Sequence, residues 1–367
     1  MSAEIIPEPQ PGVLDIAPYR GGEAGAPGFE RPIRLASNES ALGPSAKAMA
    51  AYKALAGEIH RYPDGGAEAL RKALARRYGV DAERIVCGNG SDELIGLLTK
   101  AYAGPGDEVL YSRHGFLMYA IAAKAAGATP VTAPESNLTF DVDAMLKAVT
   151  PRTKIVFLAN PNNPTGTYIP AEEVKRLHAG LPKSTLLIID AAYAEYVQRN
   201  DYEPGITLVE RAKNVVMTRT FSKIYALGGL RVGWVYCSAP VADVLNRVRG
   251  PFNLNAAAQA AAVAAVEDVA AVDRAREHND IWRPWFEKAL AEIGLTVNPS
   301  VANFVIVRFP GERGKTADAA FEFLKSRGIL TRKMGGYHLA EWLRISIGTE
   351  EEMRAVVKAC GDFLKGS

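Results

Sequence analysis

Lys223 closes the run Thr220-Phe221-Ser222-Lys223, and Arg231 follows eight positions later in Gly229-Leu230-Arg231-Val232-Gly233-Trp234. A lysine amine forms an imine with a carbonyl, while serine hydroxyls and guanidinium groups hold phosphate. The pair therefore suits a small molecule that presents an aldehyde and a phosphate together. Leu186-Leu187-Ile188-Ile189-Asp190 ends an apolar run on a carboxylate. In doubly wound sheets ligands collect at the carboxyl ends of strands. A carboxylate there can keep a pyridine nitrogen protonated and make the ring an electron sink. Tyr193, three residues on, is placed to hydrogen-bond a phenolic oxygen of the same ring.

Two further segments fit. The apolar run Arg84–Cys87 leads into Gly88-Asn89-Gly90-Ser91-Asp92-Glu93 and then an amphipathic helix. A glycine turn at a helix start exposes backbone N–H groups that cradle phosphate. Position 93 is Glu, which departs from the dinucleotide fingerprint and disfavours a nicotinamide ligand. Asn160-Pro161-Asn162-Asn163-Pro164-Thr165-Gly166 is mostly turn chemistry, with Asn163 the amide expected to face the ring. Phe116 is placed to stack on it. The molecule with an aldehyde, a phosphate, a pyridine nitrogen and a phenolic oxygen is pyridoxal 5'-phosphate.

The elements that must position these groups alternate. The first forty or so residues are rich in Pro and Gly and read as an extended arm. Helical periodicity follows at Glu68–Tyr78, Glu93–Tyr102, Leu117–Ala126 and Val142–Val149. Between and after them stand apolar strands at Arg84–Cys87, Glu108–Tyr111, Lys154–Leu158, Leu186–Ile189 and Val215–Thr218. Continuous apolar runs mean strands buried on both faces, hence an α/β fold with a mostly parallel, doubly wound sheet. Residues 256–290 read as alanine-rich helix. The tail changes character, with strands Phe304–Phe309, Ile329–Arg332 and Trp342–Ile347 and a helix Ala317–Arg327. A last helix is opened by a Thr349/Glu352 capping box. The expected domains are an arm over 1–45, a large lobe over 46–255 and a small α+β lobe over 256–367.

Composition narrows the partners. With 367 residues, 48% of them hydrophobic, the chain can bury more than one core. A net charge of +2 without long like-charge blocks gives nucleic acid or an anionic membrane no electrostatic claim. No apolar run reaches the ~18 residues of a membrane span. The three cysteines are scattered and the five histidines lack metal-ligand spacing, so neither a disulfide framework nor a metal site is expected. No secretory signal is visible, which fits a reducing cytoplasm.

Together these segments resemble the fold-type I, aspartate-aminotransferase-like pyridoxal-phosphate enzymes, from about Tyr19 to Ile347. Within that superfamily the chain is most similar to the histidinol-phosphate aminotransferases. The likeness is carried by Ala36-Ser37-Asn38-Glu39, Arg61-Tyr62-Pro63-Asp64, Gly88–Glu93, Asn160–Gly166, Asp190–Tyr196, Thr220–Lys223 with Leu230-Arg231, and Leu343-Arg344-Ile345-Ser346. Thr331-Arg332 and Gly336-Tyr337 lean toward the same group. The resemblance implies that Lys223 carries the imine, that Asp190 pairs with the pyridine nitrogen, and that Tyr193 and Asn163 pair with the ring oxygen. It implies that Gly90, Ser91, Asp92, Thr220, Ser222 and Arg231 surround the cofactor phosphate, with Tyr62 reaching the phosphate of the other subunit of a homodimer. It implies further that Arg344 grips the substrate carboxylate, and that Tyr19, Glu39 and Arg332 serve a phosphorylated imidazole substrate in a step of histidine biosynthesis. Three positions depart from the family pattern: Ala191-Ala192 after Asp190, His338 in Tyr337-His338-Leu339, and Ser40-Ala41 after Glu39. A broad-specificity aromatic aminotransferase and a phospho-amino-acid decarboxylase share the same cofactor residues and stay open as alternatives.

Overall fold

Within Leu186–Asp190, Leu187 and Ile189 enter one apolar core while Leu186 and Ile188 enter another. A strand that alternates between two buried faces reads as one unbroken apolar run, because each face needs its own residues. The computed structural model describes residues 7–312 and 314–366. Met1–Ile6 of the expected arm lie outside the described residues.

The large sheet has seven strands: β1 Ile85–Gly88, β2 Glu108–Ser112, β3 Thr129–Ala133, β4 Thr153–Ala159, β5 Leu186–Asp190, β6 Val215–Thr220 and β7 Gly233–Tyr236. They stand in the order β1-β7-β6-β5-β4-β2-β3. β7 pairs antiparallel with both β1 and β6, and the other pairings are parallel. The carboxyl ends of β1, β4, β5 and β6 and the amino end of β7 therefore share one edge. β3 and β7 were not among the strands expected from the sequence. β3 is an edge strand with Pro130 and little burial, and β7 is only four residues long behind a glycine.

The small lobe holds β8 Thr296–Asn298, β9 Phe304–Arg308, β10 Arg332–Lys333 and β11 Trp342–Ser346, antiparallel in the order β8-β9-β11-β10. The expected strand Ile329–Arg332 is divided. Ile329 and Leu330 pair in parallel with Ile33 and Arg34 of the arm, while Arg332 and Lys333 join β11. A partner 296 positions away in sequence sets that register, and periodicity carries no sign of it. The last helix, Glu350–Lys365, starts on the Thr349/Glu352 capping box.

The alanine-rich helix Ala256–Glu267 packs on helices Ala46–Ala54 and Glu68–Tyr78, and its Ala258, Ala261, Ala262 and Ala265 belong to the large-sheet core. Small side chains let these helices approach closely. The following helix, Val269–Glu292, places Val272 and Ala275 in that core and Phe286 and Leu290 in the small-lobe core. The chain thus crosses between lobes along this helix. Leu35 of the arm is also a small-lobe core residue, so Ala36–Asn38 lead from that lobe toward the edge of the large sheet.

Candidate active site

At the shared strand edge, helix Ser91–Tyr102 begins on Gly90, whose φ of +85° is glycine territory and which provides no side-chain cap. Its first N–H groups are left for a ligand, and the helix dipole favours an anion there. Glu93, the residue that broke the dinucleotide pattern, accepts from Asn89 N at 2.6 Å and from Asn253 Nδ2 at 2.9 Å, so it ties the turn down. Gly233 at the start of β7 allows this close approach: a Cβ there would sit 2.4 Å from Ser91 N. Arg231 completes this end. Its Nη2 donates to Asp92 Oδ2 at 3.0 Å, and its Nη1 donates to Ser222 Oγ at 3.3 Å and to Gly228 O at 3.1 Å. Ser222 N in turn donates to Thr220 Oγ1 at 3.1 Å.

Asp190 ends β5 with both carboxylate oxygens engaged. Tyr119 Oη donates to Oδ2 at 2.7 Å and Thr218 Oγ1 donates to Oδ1 at 3.1 Å. Burial raises the Asp190 pKa, and the Tyr119 and Thr218 hydrogen bonds oppose the rise. Tyr119 is itself locked, stacked on Phe157 at 4.3 Å. Lys223 is half-buried, and its Nζ donates to Ser37 O at 3.0 Å while lying 5.7 Å above the Tyr193 ring. Burial, followed by the positive charge of Arg344, lowers its amine to about 8. Tyr193 accepts from Asn38 Nδ2 at 2.9 Å.

Arg344, on β11, is 5% exposed and lies against Phe304. Its Nη1 donates to Asn163 Oδ1 at 2.6 Å and its Nη2 to Ala36 O at 2.8 Å, while its buried Nε has no hydrogen-bond partner among the described residues. Arg332 donates to Arg20 O at 2.7 Å and its guanidinium stands 5.8 Å from the Tyr19 ring centre.

One cavity of about 250 Å³ gathers these groups. Of the residues singled out in the sequence, it is lined by Tyr19, Ser91, Asp92, Phe116, Asn163, Asp190, Tyr193, Thr220, Ser222, Lys223, Arg231, Arg332 and Arg344. Gly90 lies just behind it, where an added Cβ would meet Arg231 Nη2 at 2.4 Å. Glu39 is not on the cavity wall: it is half-exposed and ion-paired with Arg34 at 3.3 Å. Tyr62 is 83% exposed and stacked on Phe252, away from this chain's own cavity. His338 is exposed in a left-handed turn and does not line it either. Asn38 and Tyr119 line the cavity and Thr218 stands behind Asp190, yet the sequence reading gave none of the three a role. Asn38 stood inside a quoted motif, whereas Tyr119 and Thr218 carried no local signal.

The donor set fits pyridoxal 5'-phosphate. A glycine-built cradle with Arg231 could hold a phosphate, and the Lys223 amine could meet an aldehyde. Asp190, hydrogen-bonded but with no cation bonded to it among the described residues, could take a protonated ring nitrogen as its counter-charge. Fold and site together define an enzyme that works through a lysine-linked carbonyl cofactor at the edge of a doubly wound sheet. The chain belongs to the aminotransferase class I and II family, whose pattern it matches over residues 30–359. It is 64% identical to the histidinol-phosphate aminotransferase of Paramagnetospirillum magneticum, over 98% of this chain and 99% of that one. Identity to the enzyme of the same name from Rhodospirillum centenum is 60%, over 98% and 99%. Among solved structures it is similar to histidinol-phosphate aminotransferase from Sinorhizobium meliloti in complex with pyridoxal-5'-phosphate. That match has a TM-score of 0.89 and 30% identity, covering 96% of this chain and 97% of that one. An aspartate aminotransferase variant from Thermus thermophilus shares the fold at a TM-score of 0.80 and 22% identity, over 90% of this chain and 95% of that one.

Proposed function

We propose that the protein is a pyridoxal-phosphate-dependent aminotransferase that interconverts histidinol phosphate and 2-oxoglutarate with imidazole-acetol phosphate and glutamate. The observation that carries the reading is the Lys223 amine, lowered to about 8, between two cationic ends of one cavity. Bound pyridoxal 5'-phosphate supplies an aldehyde that condenses with amines and a protonated ring that takes up electrons from the substrate α-carbon. Ser91, Ser222 and Arg231, with the N–H groups after Gly90, would hold its phosphate, while the Asp92 carboxylate steadies Arg231. Asp190, fixed by Tyr119 and Thr218, holds the ring nitrogen's proton, and Tyr193 and Asn163 face the ring oxygen. Lys223 Nζ, whose pKa burial lowers, would take the α-proton of the substrate and hold it for return. Arg344 receives the α-carboxylate of glutamate or 2-oxoglutarate. Tyr19 and Arg332 form the wall suited to the substrate phosphate, a role supported by the high identity to enzymes named for histidinol phosphate.

The active unit in this reading is a homodimer whose Tyr62 residues cross to the partner's phosphate site, and three free, buried cysteines suit a reducing cytoplasm. The test is a coupled assay of purified protein with histidinol phosphate and 2-oxoglutarate, run beside phenylalanine and tyrosine. The expected result is a clear preference for histidinol phosphate. Preference for the aromatic amino acids, or release of carbon dioxide from the substrate, would overturn it.

A further inference from the structure

We infer that Asn38 is a positioning residue that decides which way the Tyr193 phenol proton points. This deepens the cofactor reading above and rests on it. Asn38 lies where the arm meets the cavity, is 1% exposed, and has a φ of +56°, which asparagine adopts more readily than most residues. Its backbone N donates to Ser346 Oγ at 2.8 Å, its backbone oxygen accepts from Asn303 Nδ2 at 3.1 Å, and its Oδ1 lies 3.2 Å from Ser346 Oγ. Its backbone is held by Ser346 and by Asn303, so its Nδ2 is delivered to Tyr193 Oη at 2.9 Å from a fixed frame.

Among the described residues Tyr193 Oη accepts this one hydrogen bond and donates none. An amide N–H cannot accept a proton, so the phenol must keep its own and aim it elsewhere. The elsewhere is the cavity, where the ring oxygen of the cofactor is the acceptor. The titratable groups beside Tyr193 are Asp190 from the end of β5, Lys223 from the loop after β6, Arg344 from β11, Tyr337 from the turn Gly335–Tyr337, Tyr119 from the helix Met118–Ala125, and Tyr196 three residues on. Phe304 packs edge-on at 5.2 Å. None of these touches the phenol oxygen with a hydrogen bond, and changing Asn38 leaves their charges as they are. The neighbouring arm residues are tied in as well, through Ser37 O to Lys223 and Ala36 O to Arg344.

A proton donated to the ring oxygen competes for the electron density that otherwise holds the proton on the lysine-linked nitrogen. Loss of that donor therefore raises the pH midpoint at which the visible band of the cofactor-loaded enzyme changes. Asn38→Gly keeps the left-handed backbone without strain and removes the amide. It is expected to raise the midpoint by only part of the shift of about one pH unit, the size of one net hydrogen bond, that Tyr193→Phe gives, because the phenol keeps its proton but loses its fixed aim. In a Tyr193→Phe background the same Asn38→Gly change is expected to add nothing. No shift in the native background, or an equal shift in both backgrounds, would overturn the inference. Should Asn38→Gly fail to fold, isosteric Asn38→Asp decides, because its carboxylate accepts the phenol's hydrogen bond and turns it away from the cavity. Its shift must be larger with Tyr193 present than with Tyr193→Phe, and equal shifts would overturn the inference. Borohydride reduction of the parent separates the two levels: a parent with no adduct on Lys223 overturns the cofactor reading and this inference with it. An adduct on Lys223 without the expected shifts overturns the inference alone.

Discussion

Arg344 is gripped at both ends of its fork, by Asn163 and by the Ala36 carbonyl, which fixes the guanidinium plane before any substrate arrives. Its buried Nε–H has no partner among the described residues, and a buried unpaired donor of a charged group is costly, so a carboxylate that reaches it gains more than it would in water. An ammonium offers neither the plane nor the fork. Arg344→Lys is therefore expected to lose two charge-assisted hydrogen bonds, about 3 kcal/mol in all, or roughly a hundredfold in affinity. Steady-state kinetics should show this as a rise in KM for glutamate and 2-oxoglutarate, with kcat changed far less. A kcat loss at unchanged KM would place Arg344 in the chemical step instead. Lys223 shows the complementary case, since burial and the same arginine lower its amine from an ordinary 10.5 to about 8. Its unprotonated fraction increases as pH rises through that value.

At the scale of elements, the site is a meeting of strand ends with one helix start, and the approach distance is set by glycine. Gly233 opens β7 beneath the turn Gly88–Ser91, where a methyl group would lie 2.4 Å from Ser91 N and 2.5 Å from the Gly90 carbonyl carbon. Both are backbone atoms, so the turn itself must move. Gly233→Ala is expected to cost about 1–3 kcal/mol in overpacking and to weaken cofactor binding about tenfold, because the displaced N–H groups are those facing the phosphate. Equilibrium titration of the apo-protein with cofactor measures it, and unchanged affinity would mean that the turn does not hold the phosphate. This part of the site was readable in the sequence because each piece is local: an apolar run ending in Asp190, a Gly88–Gly90 turn before a helix, Lys223 eight positions before Arg231. Asn38, Tyr119 and Thr218 were not readable as site residues. They act through partners 155, 71 and 28 positions away, and only folding sets those distances. Glu39, which its motif placed among the substrate residues, is half-exposed and paired with Arg34, and its charge still acts on Lys223.

The whole chain leaves Ile59 and Tyr62 each 83% exposed, with Phe252 stacked under Tyr62 at 4.8 Å and 45% exposed. A cluster of large apolar side chains in the open marks a surface built to be covered. Covering it with a second copy about a two-fold axis buries the same residues on both sides, and lets each Tyr62 reach a site its own chain cannot supply. Hybrid dimers separate this arrangement from one in which each chain completes its own site. Chains bearing Lys223→Ala and chains bearing Tyr62→Ala are each expected to be impaired as homodimers. Pairing them through two different affinity tags concentrates both defects in one site, if Tyr62 crosses over. The other site then has a native lysine from one chain and a native tyrosine from its partner. The hybrid is thus expected to regain native cofactor affinity and turnover at one site per dimer. If Tyr62 served its own chain, each site of the hybrid would keep one defect and no native site would form. Turnover of the purified hybrid no higher than that of the Tyr62→Ala homodimer would therefore sink the shared-site arrangement, whatever the oligomeric state.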